Sequence, residues 1–297
     1  MEKLSLEIEG RRIEISNPDK LLWPEAGISK AVYIARLAEL APNILTYASG
    51  RLLTVIRYPD GIHGKSFYQK SCPEYAPEWI NTAIYGDVDY ILLDSLPTLI
   101  WLAAQAALEF HVTFNTTDRE DYPTYLVFDL DPSKGQGFDE VIEVGLRIHE
   151  TLEALSITSF VKTSGASGLQ VYIPVNGKYD YTRARHINEF FARYFSQRYP
   201  KLITIERLVR NRGKKLYFDY LQMWYGKTIA AAYCPRAVER ASVSTPVEWS
   251  ELTNIKPGDF TLLNAAGLLA EKGDHFKGLL AAEQNLDAVL ERIGQLV

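Results

Sequence analysis

The segment Tyr125 to Pro132, YLVFDLDP, constrains this chain more than any other stretch. It is apolar enough to be an interior β-strand, yet it carries Asp129 and Asp131 with only Leu130 between them. Strand side chains alternate faces, so the two carboxylates project to one side while Phe128 and Leu130 point to the other. Two buried like charges repel, and a fold that keeps them must bring positive charge to them. An arginine or lysine in an ion-pair network meets that requirement. A divalent cation held by oxygen ligands meets it too, and Mg²⁺ or Mn²⁺ suits such ligands. These eight residues leave both open.

A second apolar segment, LYFDYLQ, places Asp219 in a similar setting. Three carboxylates on adjacent strands can hold two metals roughly 3.5–4 Å apart, the arrangement used for in-line phosphoryl and nucleotidyl transfer. Between the two segments lies KTSGASGLQ, whose Ser164, Gly165 and Gly168 permit a tight turn that offers backbone N–H groups to phosphates. A Gly-Ser turn that only joins two strands looks the same. Just past Asp219, YGKT puts Lys227 after a glycine.

Around these segments the patterns are mixed. LSLEIEGRRIEIS alternates across a Gly-Arg turn and reads as a β-hairpin, and Ser29 reads as the N-cap of a helix KAVYIARLAELAPNIL. RLLTVIRYP reads as a strand followed by a polar loop. LPTLIWLAAQAALEFHV reads as one buried helix running into His111. GFDEVIEVGLRIHETLEALS has helical period through Val141, Val144, Ile148, Leu152 and Leu155. SFVKTSGASGLQVYIPV reads as strand, turn, strand; TRARHINEFFARYFSQRYP as an amphipathic helix; KKLYFDYLQM as a strand; the tail from Phe260 as mostly helical. No repeat or domain-separating linker is visible. The interleaving favours a mixed α/β (α+β) sheet over a regular barrel.

The chain has 297 residues, 47% hydrophobic and 23% charged, so a sizeable core is available. No apolar run approaches the roughly 18–20 residues of a membrane helix, and the start lacks an export signal. Cys72 and Cys234 give neither a disulfide framework nor a metal pair, so a cytoplasmic location is expected. The net charge of −5 argues only weakly against a nucleic-acid partner, because binding depends on local patches, and ERLVRNRGKK (Glu206 to Lys215) holds five bases against one acid. A solvated surface segment reads the same way.

Taken in order, NPDKLLWPEAGISKA, RYPDGIHGKSFYQK, LEFHVTF, YLVFDLDPS, KTSGASGLQVYIP and FDYLQMWYGKTIAAAYCPRA resemble the polymerase domain of bacterial DNA ligase D, a member of the archaeo-eukaryotic primase superfamily. The resemblance runs over nearly the whole chain. It implies a primase-like fold, with mixed and antiparallel sheets flanked by helices and a central active-site cleft between two modules. The expected organisation is a single primase-polymerase-like domain over residues 1–297, with an N-terminal module at about 1–115 and a catalytic module at about 116–297. The D-x-D strand, the KTSG hairpin and the Asp219 segment should be neighbours in one sheet.

The resemblance also assigns roles. Asp129, Asp131 and Asp219 match the acids that bind two divalent metals, often with manganese preferred. Ser164 and Lys227 match residues that contact nucleotide phosphates. His111 matches a histidine that places the incoming nucleotide, whereas its own sequence setting equally suits a core histidine. Arg236 matches a triphosphate-binding arginine, a task suited to a guanidinium fork. Lys20 and Lys30 match the pair that holds a 5′-phosphate, with the helix N-terminus at Lys30 assisting. Phe67 and Tyr68 match an aromatic loop that stacks on template bases, although a core aromatic reads the same way at Tyr68. One departure is visible: Gln170 stands where the family commonly has a histidine, so a neutral hydrogen bond replaces a charge-assisted one. Weaker nucleotide binding or a slower rate is the expected result.

The implied activity is template-dependent addition of nucleotides, with ribonucleotides preferred, at DNA gaps and ends in non-homologous end joining. The implied partners are 5′-phosphorylated gapped duplexes and DNA ends, NTPs and dNTPs, with Ku and a separate ligase as candidates and no membrane. With no room for a ligase or phosphoesterase domain in these 297 residues, either a stand-alone polymerase or a chain cut from, or working beside, a separate ligase is expected. A non-catalytic module binding the 5′-phosphate of DNA ends and a de novo primase are the competing readings. A phosphohydrolase would use clustered acids but does not explain the ordered nucleotide motifs.

Overall fold

The computed structural model describes residues 3–294, so the last three residues of the tail expected to be mostly helical, and the first two residues of the chain, lie outside the described residues. The chain forms two compact units. The first comprises Met1–Thr113, Thr228–Thr245 and Gly258–Asp274; the second comprises Phe114–Lys227, Pro246–Pro257 and His275–Val297. The chain therefore leaves the first unit three times and returns to it twice, which places Arg236 in the first unit rather than with the stretch that carries the acids.

In the second unit a six-stranded sheet runs in the order Ile203–Thr204, Leu216–Phe218, Tyr125–Asp131, Leu169–Pro174, Phe160–Thr163, Pro246–Val247. All its pairings are antiparallel except that between the first two strands. The acid-bearing strand is thus flanked by the Asp219 segment on one side and the KTSG hairpin on the other, as the sequence patterns predict. Helices Phe138–Ala154 and Tyr181–Arg198 supply the core of this unit, with Val144, Ile148, Leu152, Ile187, Phe191 and Phe195 buried. Phe128 meets Phe191 and Phe218 at centroid distances of 5.4 and 5.0 Å. That packing fixes which face of the strand is apolar, and by alternation which face carries Asp129 and Asp131.

In the first unit a four-stranded sheet runs Thr228–Ala230, Ala107–Thr113, Leu53–Arg57, Phe67–Gln69. The N-terminal hairpin pairs Lys3–Ile8 with Arg11–Ser16, and Ser29 caps helix Lys30–Ala48 by accepting from the Val32 amide, both as expected. Tyr33, Leu37, Leu40 and Ile44 fill the helix's buried side.

Four expectations need correction. The buried helix does not reach His111: it spans Leu96–Ala104, the Gln105 amide bonds back to Trp101, and Ala106 turns the chain at φ +58° into a strand. His111 therefore lies inside a strand. Alanines suit a helix interior, so nothing in AAQAAL announces the break. Leu155 is 53% exposed, because the helix ends one residue before it. KKLYFDYLQM is strand only over Leu216–Phe218, and a 3₁₀ turn, Tyr220–Gln222, follows. The tail is helical over Ala265–Lys272 and Asp287–Gly294, with turns between. Among the described residues no helix is long and apolar enough to cross a membrane.

Candidate active site

The acid face of the second unit is built by register. Asp129 stands opposite Gln170, and Gln170 stands opposite Lys162, so the three side chains form one row across three strands. Gln170 donates from Nε2 to Asp129 Oδ1 at 3.0 Å, while its Oε1 is buried with no hydrogen-bond partner. Asp131 is two residues along from Asp129 on the same face, opposite Tyr217. The Asp219 amide bonds to the Asp129 carbonyl at 2.9 Å, which carries the third acid to the edge of this face. Burial, then the Asp131 charge, push the Asp129 carboxyl well above the usual carboxylate range; the bond from Gln170 and the charge of Lys162 oppose this, while Asp219 reinforces it.

Lys162 is wholly buried, with its ammonium 5.8 Å from the centre of the Tyr172 ring. Sequence reasoning passed over it, although a lysine inside a strand of apolar residues was the available signal: lysine is almost never fully buried unless paired.

Asp219 sits at the N-cap of the 3₁₀ turn rather than inside a strand. Its Oδ1 accepts from the Tyr217 hydroxyl and the Leu221 amide, both at 3.1 Å. Among the described residues no three histidine, cysteine, aspartate or glutamate side chains form a ready-made metal cage. The chemistry of the donors nonetheless fits a hard divalent cation: Asp129, Asp131 and Asp219 supply only oxygens, the charges of Asp131 and Asp219 raise the proton affinity of Asp129, and Gln170 Oε1 is an orphaned acceptor beside them.

The turn next to the acids is shaped from within. Ser164 Oγ accepts from the Ala166 and Gly168 amides at 3.2 and 3.0 Å, and the Ser164 amide bonds to the Gly168 carbonyl. A Cβ on Gly168 would lie 2.4 Å from the Leu130 carbonyl oxygen, so only glycine lets the turn lie against the acid strand. Lys227 is exposed and follows Gly226, whose φ is +64°. In the basic segment Arg212 folds back, bonding to the Glu206 and Arg207 carbonyls and lying 3.6 Å from the Tyr217 ring centre.

The first unit brings His111 and Arg236 together through a third residue. Glu109, 5% exposed, accepts at Oε2 from His111 Nε2 and Arg236 Nε, both at 2.9 Å, and at Oε1 from the Ala237 amide at 3.0 Å. Burial works against its ionisation, but His111, Arg236 and the amide outweigh that and hold its pKa at about 2. Lys20 and Lys30 are joined by a backbone bond, Lys30 amide to Lys20 carbonyl, at 2.9 Å. They are not two open surface cations: Lys20 Nζ pairs with Asp60 at 2.6 Å, and Lys30, 5% exposed, donates to the Ser16 and Ala104 carbonyls at 2.8 and 3.3 Å. Burial, then the charges of Lys20 and Arg57, lower the Lys30 pKa. Phe67 and Tyr68 are 45% and 72% exposed, so the core-aromatic reading of Tyr68 fails; Arg57 lies 5.2 Å from the Phe67 ring centre.

Comparison with known proteins agrees with this architecture. The family described as LigD, primase-polymerase domain, matches residues 29–276. The bifunctional non-homologous end joining protein LigD of Bacillus subtilis is 33% identical over 286 residues, 95% of this chain and 47% of that protein. The multifunctional LigD of Mycolicibacterium smegmatis is 29% identical over 82% of this chain and 33% of its own length. The chain thus spans less than half the length of these relatives. Among solved structures, the polymerase domain of Mycobacterium tuberculosis ligase D in complex with DNA superposes with a TM-score of 0.81 at 28% identity, covering 91% of this chain and 98% of that one.

Proposed function

The chain belongs to the LigD primase-polymerase family, and from that premise we propose that it is a template-dependent nucleotidyltransferase that adds nucleotides at DNA gaps and ends during non-homologous end joining. The observation that carries the reading is the acid face: Asp129 and Asp131 side by side on one strand, hydrogen-bonded at Asp129 to Gln170 and bordered by the Ser164–Gly168 turn.

In the reaction the primer 3′-oxygen attacks the α-phosphorus of the nucleotide. The bond from that phosphorus to the bridging oxygen breaks, pyrophosphate leaves, and the hydroxyl proton passes to solvent. Asp129, Asp131 and Asp219 are the residues that would hold two Mn²⁺ or Mg²⁺ ions, which when bound supply hydroxyl activation and charge neutralisation. Gln170 orients Asp129 by donating to one of its oxygens, which leaves the other for a cation. The Ser164–Gly168 turn holds the phosphate side of the face in shape, and Lys227 adds a cation for phosphate oxygens. His111 and Arg236 are assigned to the nucleotide, Lys20 and Lys30 to a 5′-phosphate, and the exposed Phe67 to template stacking. Ribonucleotide preference, and Ku and a separate ligase as partners, are part of the same reading.

A second reading, a non-catalytic module that binds 5′-phosphorylated DNA ends, draws support from Asp219, whose carboxylate is engaged by Tyr217 and Leu221. Primer extension on a gapped, 5′-phosphorylated duplex with Mn²⁺ separates the two. Templated addition that disappears in the Asp129→Ala, Asp131→Ala protein supports the polymerase, and separate assays with NTPs and dNTPs report the sugar preference. DNA binding that depends on the 5′-phosphate without any addition supports the end-binding module.

A further inference from the structure

The Glu109 carboxylate is a buried charge of the first unit that accepts from three donors, and its two side-chain donors are the pair already assigned to the nucleotide. Glu109 and His111 are two apart on the strand Ala107–Thr113, so their side chains leave the same face. Arg236 arrives from a different segment, anchored by its own amide to the Ser242 carbonyl at 2.8 Å. One oxygen, Oε2, receives both side chains, and the other receives the Ala237 amide next to Arg236.

We propose that Glu109 is a positioning residue that sets the tautomer of His111 and the reach of Arg236, and so determines nucleotide affinity without touching the nucleotide. This rests on the reading of His111 and Arg236 as nucleotide-binding residues. The argument is geometric. An ionised carboxylate only accepts, so the imidazole nitrogen facing it must carry the hydrogen. That fixes Nε2 as the protonated nitrogen and Nδ1 as the one with a lone pair when the ring is neutral. Arg236 meets Glu109 through Nε at 2.9 Å, a charge-assisted bond that fixes the edge of the guanidinium carrying Nε. A pair of ligand-binding side chains held by one buried acceptor is the arrangement by which supporting residues orient ligating ones. A buried ion pair contributes little stability compared with well-packed apolar residues, so stability alone gives weak reason for an acid here.

The test compares the full chain with Glu109→Gln, His111→Ala and Arg236→Ala in primer extension with Mn²⁺, and in titration with a fluorescent ATP analogue. Glu109→Gln should raise the nucleotide KM and the analogue Kd by about 10–100-fold, the usual cost of losing a supporting residue. Its kcat should stay near that of the parent, as expected when ground-state binding is lost. Glu109→Asp should lie between the two. In ¹⁵N-histidine spectra of the parent protein His111 should show the Nε2–H tautomer, and Glu109→Gln should shift it. Unchanged KM and Kd in Glu109→Gln, with both rising in His111→Ala and Arg236→Ala, would overturn the proposal and leave the nucleotide assignment standing. No change in any of the three variants would overturn the assignment and the proposal with it. Should Glu109→Gln not fold, an Nδ1–H tautomer for His111 in the parent protein would overturn the proposal, and an Nε2–H tautomer would support it.

Discussion

Glu109 in the first unit and Asp129 in the second are both carboxylates on central strands, and their surroundings push them in opposite directions. Glu109 is met by an arginine, a histidine and a backbone amide, and stays ionised down to a pKa of about 2. Asp129 is met by a neutral amide, a nearby lysine and two further acids, and its proton affinity rises. Burial penalises both, so the partners decide the sign. The first cluster is electrically complete within the protein. The second is strained by like charges, a cost that makes sense where a cation is to be bound.

That contrast can be tested by neutralising each acid without changing its shape. Asp129→Asn with Asp131→Asn should abolish templated addition, a loss of at least about a thousandfold for an electrostatic centre of this kind. The same change should leave the melting temperature in chelator unchanged or higher, because repulsion is removed; a clear fall would show that the acids are paired like Glu109. Glu109→Gln should do the reverse to stability, lowering it by about 2–3 kcal/mol, since buried hydrogen bonds to an ionised group are lost. Urea titrations of the two variants read the difference in sign directly.

The pH dependence sharpens the same point. The folded pKa of Glu109, about 2, lies below its ordinary value of 4.5, so its contribution to stability is fully present above about pH 4.5 and is lost as pH falls towards 2. The stability gap between the parent and Glu109→Gln should therefore be flat at neutral pH and narrow below about pH 4.5. A gap that widens on acidification would contradict the assignment of an ionised carboxylate.

The turn beside the acids is the next lever. Gly168→Ala puts a methyl against the Leu130 carbonyl and should cost about 1–3 kcal/mol, with a fall in activity because the acid strand must shift. The smallest expected effect is at Lys20. Asp60→Asn frees its ammonium from an exposed ion pair worth about 0.2–1 kcal/mol, so binding of 5′-phosphorylated DNA should tighten only a few-fold, with no change for an unphosphorylated end.

How much of this was legible in the sequence differs between the two units. The acid face was readable because each part is local: alternation put Asp129 and Asp131 on one side, and the hairpin forced Gln170 into line with them. Asp219 came out adjacent but beyond its strand, because strand propensity does not mark where a ladder stops and a 3₁₀ turn begins. The chemistry of the first unit was less readable. Glu109 was visible only as part of LEFHV, since its role depends on Arg236, 127 residues away in sequence. The helix that was expected to carry His111 ends at Ala104 because Ala106 adopts a left-handed conformation that alanine does not advertise. The hold of Asp60 on Lys20 and the burial of Lys30 are likewise long-range facts. The core at Lys162 was legible in principle, from a lysine among strand residues, and was passed over.

The most direct test of the contrast is the shift of melting temperature on adding Mn²⁺ to the parent protein, to Glu109→Gln, and to Asp129→Asn with Asp131→Asn. The account predicts a rise for the first two, because a cation that binds only the folded state stabilises it, and none for the double variant. An equal rise in all three, or no rise in the parent, would contradict the claim that the acid face is a cation site.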